Sequence, residues 1–188
     1  YRSHRGILMK LLITGHTSSV GKALCSFYKD HEIFGVSRQT GFDLDNPADI
    51  EKIIELSHGY DHFINLANVG HSQCDLLYGV YRSWQEKNKS GKIVSFGTMA
   101  TAAPFSLLKK IPIDMSMLGH KLTLEKIHAE LSVETPFGPQ PQSILIRFAN
   151  YGAKTDKRSN EPYNTEKQMT EIVDFVLRSN TYISSCLL

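Results

Sequence analysis

Between Leu11 and Ala23 the chain reads Leu-Leu-Ile-Thr-Gly-His-Thr-Ser-Ser-Val-Gly-Lys-Ala. This run constrains the fold more than any other. Lys10–Thr14 is a compact apolar stretch ending in turn residues. Val20–Tyr28 reads as a helix that Ser18 or Ser19 can cap. A strand that feeds a helix through a tight turn leaves backbone N–H groups, and the positive end of the helix dipole, at the carboxyl edge of its sheet. An anion is favoured there. Gly15 admits an unusual backbone angle, and Gly21 lets the helix approach the strand.

The same alternation continues along the chain. Strands are expected at Ile33–Ser37, at an Asp43–Leu44 stub, and at Phe63–Leu66, Lys92–Phe96, Gln142–Phe148 and Tyr182–Leu188. A helix is expected from Pro47 to about Ser57, capped by Asn46, with Ile50, Ile53, Ile54 and Leu56 on its apolar face. Others are expected at Leu76–Glu86 and at Asp114–Leu131, the second with Leu118, Leu122, Leu124 and Ile127 as its apolar positions. Thr165–Arg178 opens with a capping box formed by Thr165 and Gln168. Continuous apolar strands separated by helices predict an α/β fold, a Rossmann-like doubly wound parallel sheet with helices on both faces. No repeat or linker interrupts the pattern, so residues 9–188 are expected to form one domain. Residues 1–8 are basic, precede Met9 and lack the apolar stretch of a signal peptide. They are expected to be added or upstream-translated residues and are set aside from the fold.

Composition excludes several function classes. Lys and Arg number 21 against 19 Asp and Glu, a formal charge of +2. That excess is too small to demand nucleic acid or an anionic membrane, and apart from Lys154, Lys157 and Arg158 the basic residues are dispersed. Three cysteines, Cys25, Cys74 and Cys186, have no CxxC spacing, which disfavours a disulfide framework or a zinc knuckle. A reducing, cytoplasmic setting is expected. No stretch approaches 18 apolar residues.

Two phosphate-binding patterns compete for the first turn. A Walker A loop places four residues between its first Gly and Gly-Lys and follows them with Ser or Thr. This chain has five residues between Gly15 and Gly21, and Ala23 stands where the magnesium-binding hydroxyl belongs. Both departures count against a nucleotide hydrolase. Thr14-Gly15-x-x-x-Ser19-Val20-Gly21 instead resembles the TGxxxGxG turn of the short-chain dehydrogenase/reductases, with Ser19 for the middle Gly. Asn65-Leu66-Ala67-Asn68 resembles that family's NNAG. Phe42-Asp43-Leu44-Asp45 is similar to its short Asp-containing strand.

The resemblance implies a nicotinamide dinucleotide held by Gly15, Thr17, Ser18, Ser19, Val20 and Gly21. Asp43 and Leu44 would lie at the adenine, and Asn65 and Ala67 at the sheet edge. Arg38 follows the second strand where a carboxylate would hold an unphosphorylated ribose. Its positive charge points to a 2′-phosphate and therefore to NADP(H) over NAD(H).

Gly91-Lys92-Ile93-Val94-Ser95-Phe96-Gly97-Thr98 resembles the strand that carries the family's catalytic Ser, placing Thr98 there; Ser95 reads as structural. Lys121-Leu122-Thr123-Leu124-Glu125 resembles the active-site helix, so Lys121 takes the place of the Lys that lowers the catalytic Tyr pKa and holds the nicotinamide ribose. The Tyr belongs four residues earlier, at Met117, whose thioether has no proton to give. Leu76 stands where the family's helix Asn is expected. Tyr151 and His120 are alternative donors. Thr155 sits where a family Thr touches the pyrophosphate.

The chain is shorter than a usual family member and lacks the helix between the second and third strands. The expectation is an NADP(H)-dependent oxidoreductase of the short-chain type with weakened or lost proton transfer, acting on a small carbonyl or alcohol as a homodimer or homotetramer. The alternative is a non-catalytic nucleotide-binding or interaction protein on the same scaffold. His58 and His62 lack a third ligand for a metal, and Trp84 and Tyr81 read as core or subunit contact.

Overall fold

In the computed structural model, residues 8–108, 114–134, 140–148, 166–179, 183 and 185–187 are described. Strands β1 (Lys10–Thr14), β2 (Glu32–Val36), β3 (His62–Asn65), β4 (Gly91–Thr98), β5 (Pro141–Phe148) and β6 (Ser185–Leu187) form one sheet in the order β2-β1-β3-β4-β5-β6. Every pairing is parallel. The helices are α1 (Ser19–Phe27), α2 (Pro47–Leu56), α3 (Ser72–Glu86), a single turn α4 (Phe105–Leu108), α5 (Met115–Glu134) and α6 (Glu166–Arg178).

The strands are buried on both faces, and their period of two divides the core. Leu11, Ile13, Ile64, Val94, Ile144 and Ile146 face α1 and α6. Leu12, Phe63, Ile93 and Leu145 face α2, α3 and α5. Tyr81 and Trp84 are fully buried on that second face. There the Trp84 indole N–H donates to Ser57 Oγ at 2.8 Å and the Tyr81 hydroxyl to the Leu131 carbonyl at 3.0 Å. Lys92 sends its ammonium from β4 to the end of α6, donating to the carbonyls of Val176 at 2.6 Å and Leu177 at 3.1 Å and to that of Ser179. A cation there satisfies the carbonyls that the last helical turn leaves open.

Several expectations are corrected. Asp43–Leu44 is a turn rather than a strand, because the Asp43 N–H is taken by Asp49 Oδ2 at 3.0 Å instead of a ladder partner. A short 3-10 turn, Arg38–Thr40, leads almost directly to α2. Helix α3 starts four residues earlier than expected, at Ser72, and α5 extends to Glu134. Of the apolar positions of α5, Leu118 and Leu124 are buried, whereas Leu122 is 48% exposed. Among the described residues the final strand covers only Ser185–Leu187. Thr165, Tyr151, Thr155 and the Lys154–Arg158 cluster lie outside the described residues. No helix among the described residues is long and apolar enough to cross a membrane.

Candidate dinucleotide site

The sheet order reverses at β1, whose neighbours β2 and β3 lead away on opposite sides. A crevice opens at the carboxyl ends of strands at such a point. The turn after β1 is built for close approach. Gly15 has φ +70°, a left-handed conformation, and a Cβ there would lie 3.0 Å from the Ala67 backbone nitrogen. At Gly21 a Cβ would lie 2.3 Å from the Gly15 carbonyl oxygen, so only glycine lets α1 start this close to the turn. Ser18 is the cap: its hydroxyl oxygen accepts from the Gly21 N–H at 3.1 Å. Thr17, Ser18 and Ser19 are exposed at the start of α1, whereas Val20 and Gly21 are buried behind them. His16 lays its ring against the bare face of Gly35 in β2, where a Cβ would meet the ring at 2.3 Å.

Thr14 fastens the opposite wall. It is fully buried, and its Oγ1 accepts from the N–H groups of Leu66 and Ala67 at 3.0 and 3.1 Å. This holds the loop after β3 against β1. Between the walls lies an open cleft of about 260 Å³. Of the residues singled out in the sequence, Gly15, Thr17, Arg38, Asp43, Leu44 and Ala67 line it; Val36, Ser37, Phe42 and Val69 complete it. The Arg38 side chain is 73% exposed, with its guanidinium 3.4 Å from both Asp43 and Asp45. Such exposed pairs contribute little, about 0–1 kcal/mol each. The guanidinium is therefore available to a stronger anion.

Asn65 lies beneath the cleft rather than in its lining. It is fully buried, and its amide donates to the Gln73 carbonyl at 2.7 Å. Thr98 ends β4 and caps the turn that follows, its Oγ1 accepting from the Ala100 N–H at 3.2 Å. Thr101 donates from that turn to Glu125 Oε1 at 2.6 Å, and Glu125 pairs with Arg147 at 3.0 Å. Strand β4, helix α5 and strand β5 are thereby fastened at the same edge. Lys121 is 8% exposed and donates to Gln73 Oε1 at 2.6 Å and to the Phe96 carbonyl at 2.7 Å. Burial pushes its pKa down to about 8.

Met117 stands one turn before Lys121 on α5 and is half-buried. His120 turns to His71, with ring centroids 4.1 Å apart. Leu76 is core. The partner of Lys121 that sequence reasoning missed is Gln73. It lies 48 positions from Lys121, and no local pattern marks it.

Residues 11–82 match the family model of the NAD dependent epimerase/dehydratase family. No curated protein sequence matches the chain. Solved structures are similar throughout its length. A short chain dehydrogenase from Leptospira borgpetersenii with bound NAD+ has a TM-score of 0.75 at 17% identity, covering 100% of this chain and 97% of that one. A Burkholderia cenocepacia short chain dehydrogenase in complex with NADP has a TM-score of 0.74 at 10% identity, with 96% and 88% covered. L-sorbose reductase from Gluconobacter frateurii, complexed with NADPH and L-sorbose, has a TM-score of 0.70 at 11% identity, with 97% and 96% covered. The chain thus has the Rossmann-type fold of the short-chain dehydrogenases, and residues 11–82 within it are similar in sequence to the NAD dependent epimerase/dehydratase family.

Proposed function

We propose that the chain is an NADP(H)-binding oxidoreductase of the short-chain dehydrogenase type, acting on a small carbonyl or alcohol with weakened proton transfer. The observation that carries this reading is the cleft at the β1 switch point, where Gly15, Thr17 and Arg38 meet Ala67. The residues present fit a dinucleotide: Gly15 and Gly21 leave room that a single Cβ would fill. Residues 15–21, with Thr155, would hold the pyrophosphate. Leu44 and Asp43 would flank the adenine, and Ala67 would border the ribose. Arg38 would exchange two weak exposed carboxylate contacts for a charge-assisted fork on a 2′-phosphate, which favours NADPH over NADH. Bound nicotinamide would supply or accept hydride. On the protein side, Thr98 would orient the substrate oxygen and Lys121 would hold the ribose.

Met117 cannot take part in proton transfer, and losing a positioned acid costs about 10²–10⁴ in rate. This same residue favours a second reading, a nucleotide-binding protein that keeps the fold without turnover. A melting screen with NADPH, NADH and ATP–Mg²⁺ tests the assignment. NADPH is expected to raise the melting temperature most; a curve unmoved by either nicotinamide dinucleotide overturns it. NADPH oxidation across a carbonyl panel, abolished by Lys121→Ala and raised by Met117→Tyr, separates the oxidoreductase from its non-catalytic alternative.

A further inference from the structure

Lys121 is held by an acceptor that cannot turn over. The Gln73 amide nitrogen donates to the Asn65 carbonyl at 2.7 Å and to the Phe96 carbonyl at 3.3 Å, while its oxygen accepts from the Lys121 ammonium at 2.6 Å. Flipping the amide would set its oxygen against two carbonyls and its NH₂ against an ammonium, so only one orientation is allowed. The Asn65 side chain closes the ring by donating to the Gln73 carbonyl at 2.7 Å. Gln73 and Asn65 are 2% and 0% exposed, so water does not compete for these bonds.

The geometry points to Gln73 as the positioning residue for Lys121. Its locked amide aims the ammonium and, with the Phe96 carbonyl, engages two of the three N–H donors. The third is left for a ligand at the carboxyl edge of the sheet. Gln73 sits one helical turn before Leu76 on α3, so a side chain at the start of the helix supports the lysine that Leu76 cannot. The ligand-facing part of this role rests on the dinucleotide reading above; the hold on Lys121 does not.

The test follows the Lys121 side chain of the full chain by NMR of its Cε and Hε nuclei across pH, with Lys121→Arg identifying the signal. Gln73→Met removes an acceptor that favours the ammonium, and the transition is expected to fall by about one pH unit. Gln73→Glu keeps the accepting oxygen but sets its second oxygen against the Asn65 and Phe96 carbonyls, so the carboxyl takes up a proton to donate there, or stays ionised and favours the ammonium; the transition is expected to hold or rise. General loosening of the fold does not lower the transition in Gln73→Met alone. A Gln73→Met transition at the wild-type value, or a fall in both variants, overturns the assignment. Should Gln73→Met not fold, Gln73→Leu takes its place, and a Gln73→Glu transition that falls overturns the assignment.

A parallel fluorescence titration with NADPH is expected to show affinity reduced about tenfold in Gln73→Met. If the wild type does not bind NADPH while the Lys121 shifts diverge, the dinucleotide reading fails and the hold of Gln73 on Lys121 stands. Unchanged NADPH affinity in a variant with a shifted lysine overturns the ligand-facing role.

Discussion

The two halves of the carboxyl edge treat their polar groups in opposite ways. On the side of β1, β2 and β3, glycines clear space, and the cleft is lined by a 73% exposed arginine side chain and an exposed threonine. On the side of β4, β5 and α5, the polar groups are turned on one another. Lys121 donates to Gln73 and Phe96, Thr101 to Glu125, and Arg147 to Glu125. The first half leaves open space beside its polar groups, and the second fastens most of its own to one another. In the proposed reading, a half that binds the dinucleotide would persist beside a half without its proton donor, because the two depend on different residues.

The largest expected effect comes from closing the open half. Gly21→Val would drive a Cβ into the Gly15 carbonyl and the His16 backbone, neither of which is the flexible end of a side chain. A loss of about 3 kcal/mol or more is expected in denaturant unfolding. A variant that keeps both its midpoint and its NADPH affinity would show that α1 does not need this approach.

The seam between the halves responds to pH. His62 opens β3 and accepts at Nδ1 from the Lys92 N–H at the start of β4. Burial lowers its pKa from 6.5 to about 4. The unfolded chain therefore binds this proton first as pH falls, and the native state loses stability between about pH 6.5 and 4, by up to about 3 kcal/mol. Unfolding curves across this window, compared with those of His62→Gln, should isolate the slope. An identical slope in the variant would remove His62 from the seam.

Thr14→Val tests the wall of the cleft with a side chain of the same shape. Two part-buried N–H groups would lose their acceptor, at a cost of about 2 kcal/mol. Dinucleotide affinity should fall with it, since the loop after β3 is released; retained stability would mean that the loop is fastened elsewhere. The smallest effect is expected from Arg38→Ala, which leaves stability unchanged because its ion pairs are exposed. NADPH binding should weaken about tenfold and NADH binding little. Equal losses for both would remove the 2′-phosphate from the reading.

Legibility in the sequence followed the range of the interactions. The first turn was readable because its cause is local: glycines six residues apart, a capping serine and an apolar strand lie in one continuous segment. Asn46 and Pro47 marked α2 for the same reason, and the Asn46 side chain accepts from the Ala48 N–H at 3.1 Å. Asp43–Leu44 was misread as a strand because an apolar residue beside a turn does not reveal whether an edge remains to pair with. Here the buried Asp49 captured the backbone first. The early start of α3 was hidden because Ser72 and Gln73 are polar yet buried, and their burial depends on β3, β4 and α5.

By itself the sequence determined the α/β alternation, the glycine turn and the presence of Met117 where a tyrosine was expected, since each is written in consecutive residues or one helical turn. Only the tertiary structure decided that Gln73 holds Lys121 and that Thr14 fastens the loop after β3. It also decided that the cleft lies between the walls of β1, β2 and β3. Those bonds join residues about fifty positions apart, and their partners are selected by which strands become neighbours in the sheet.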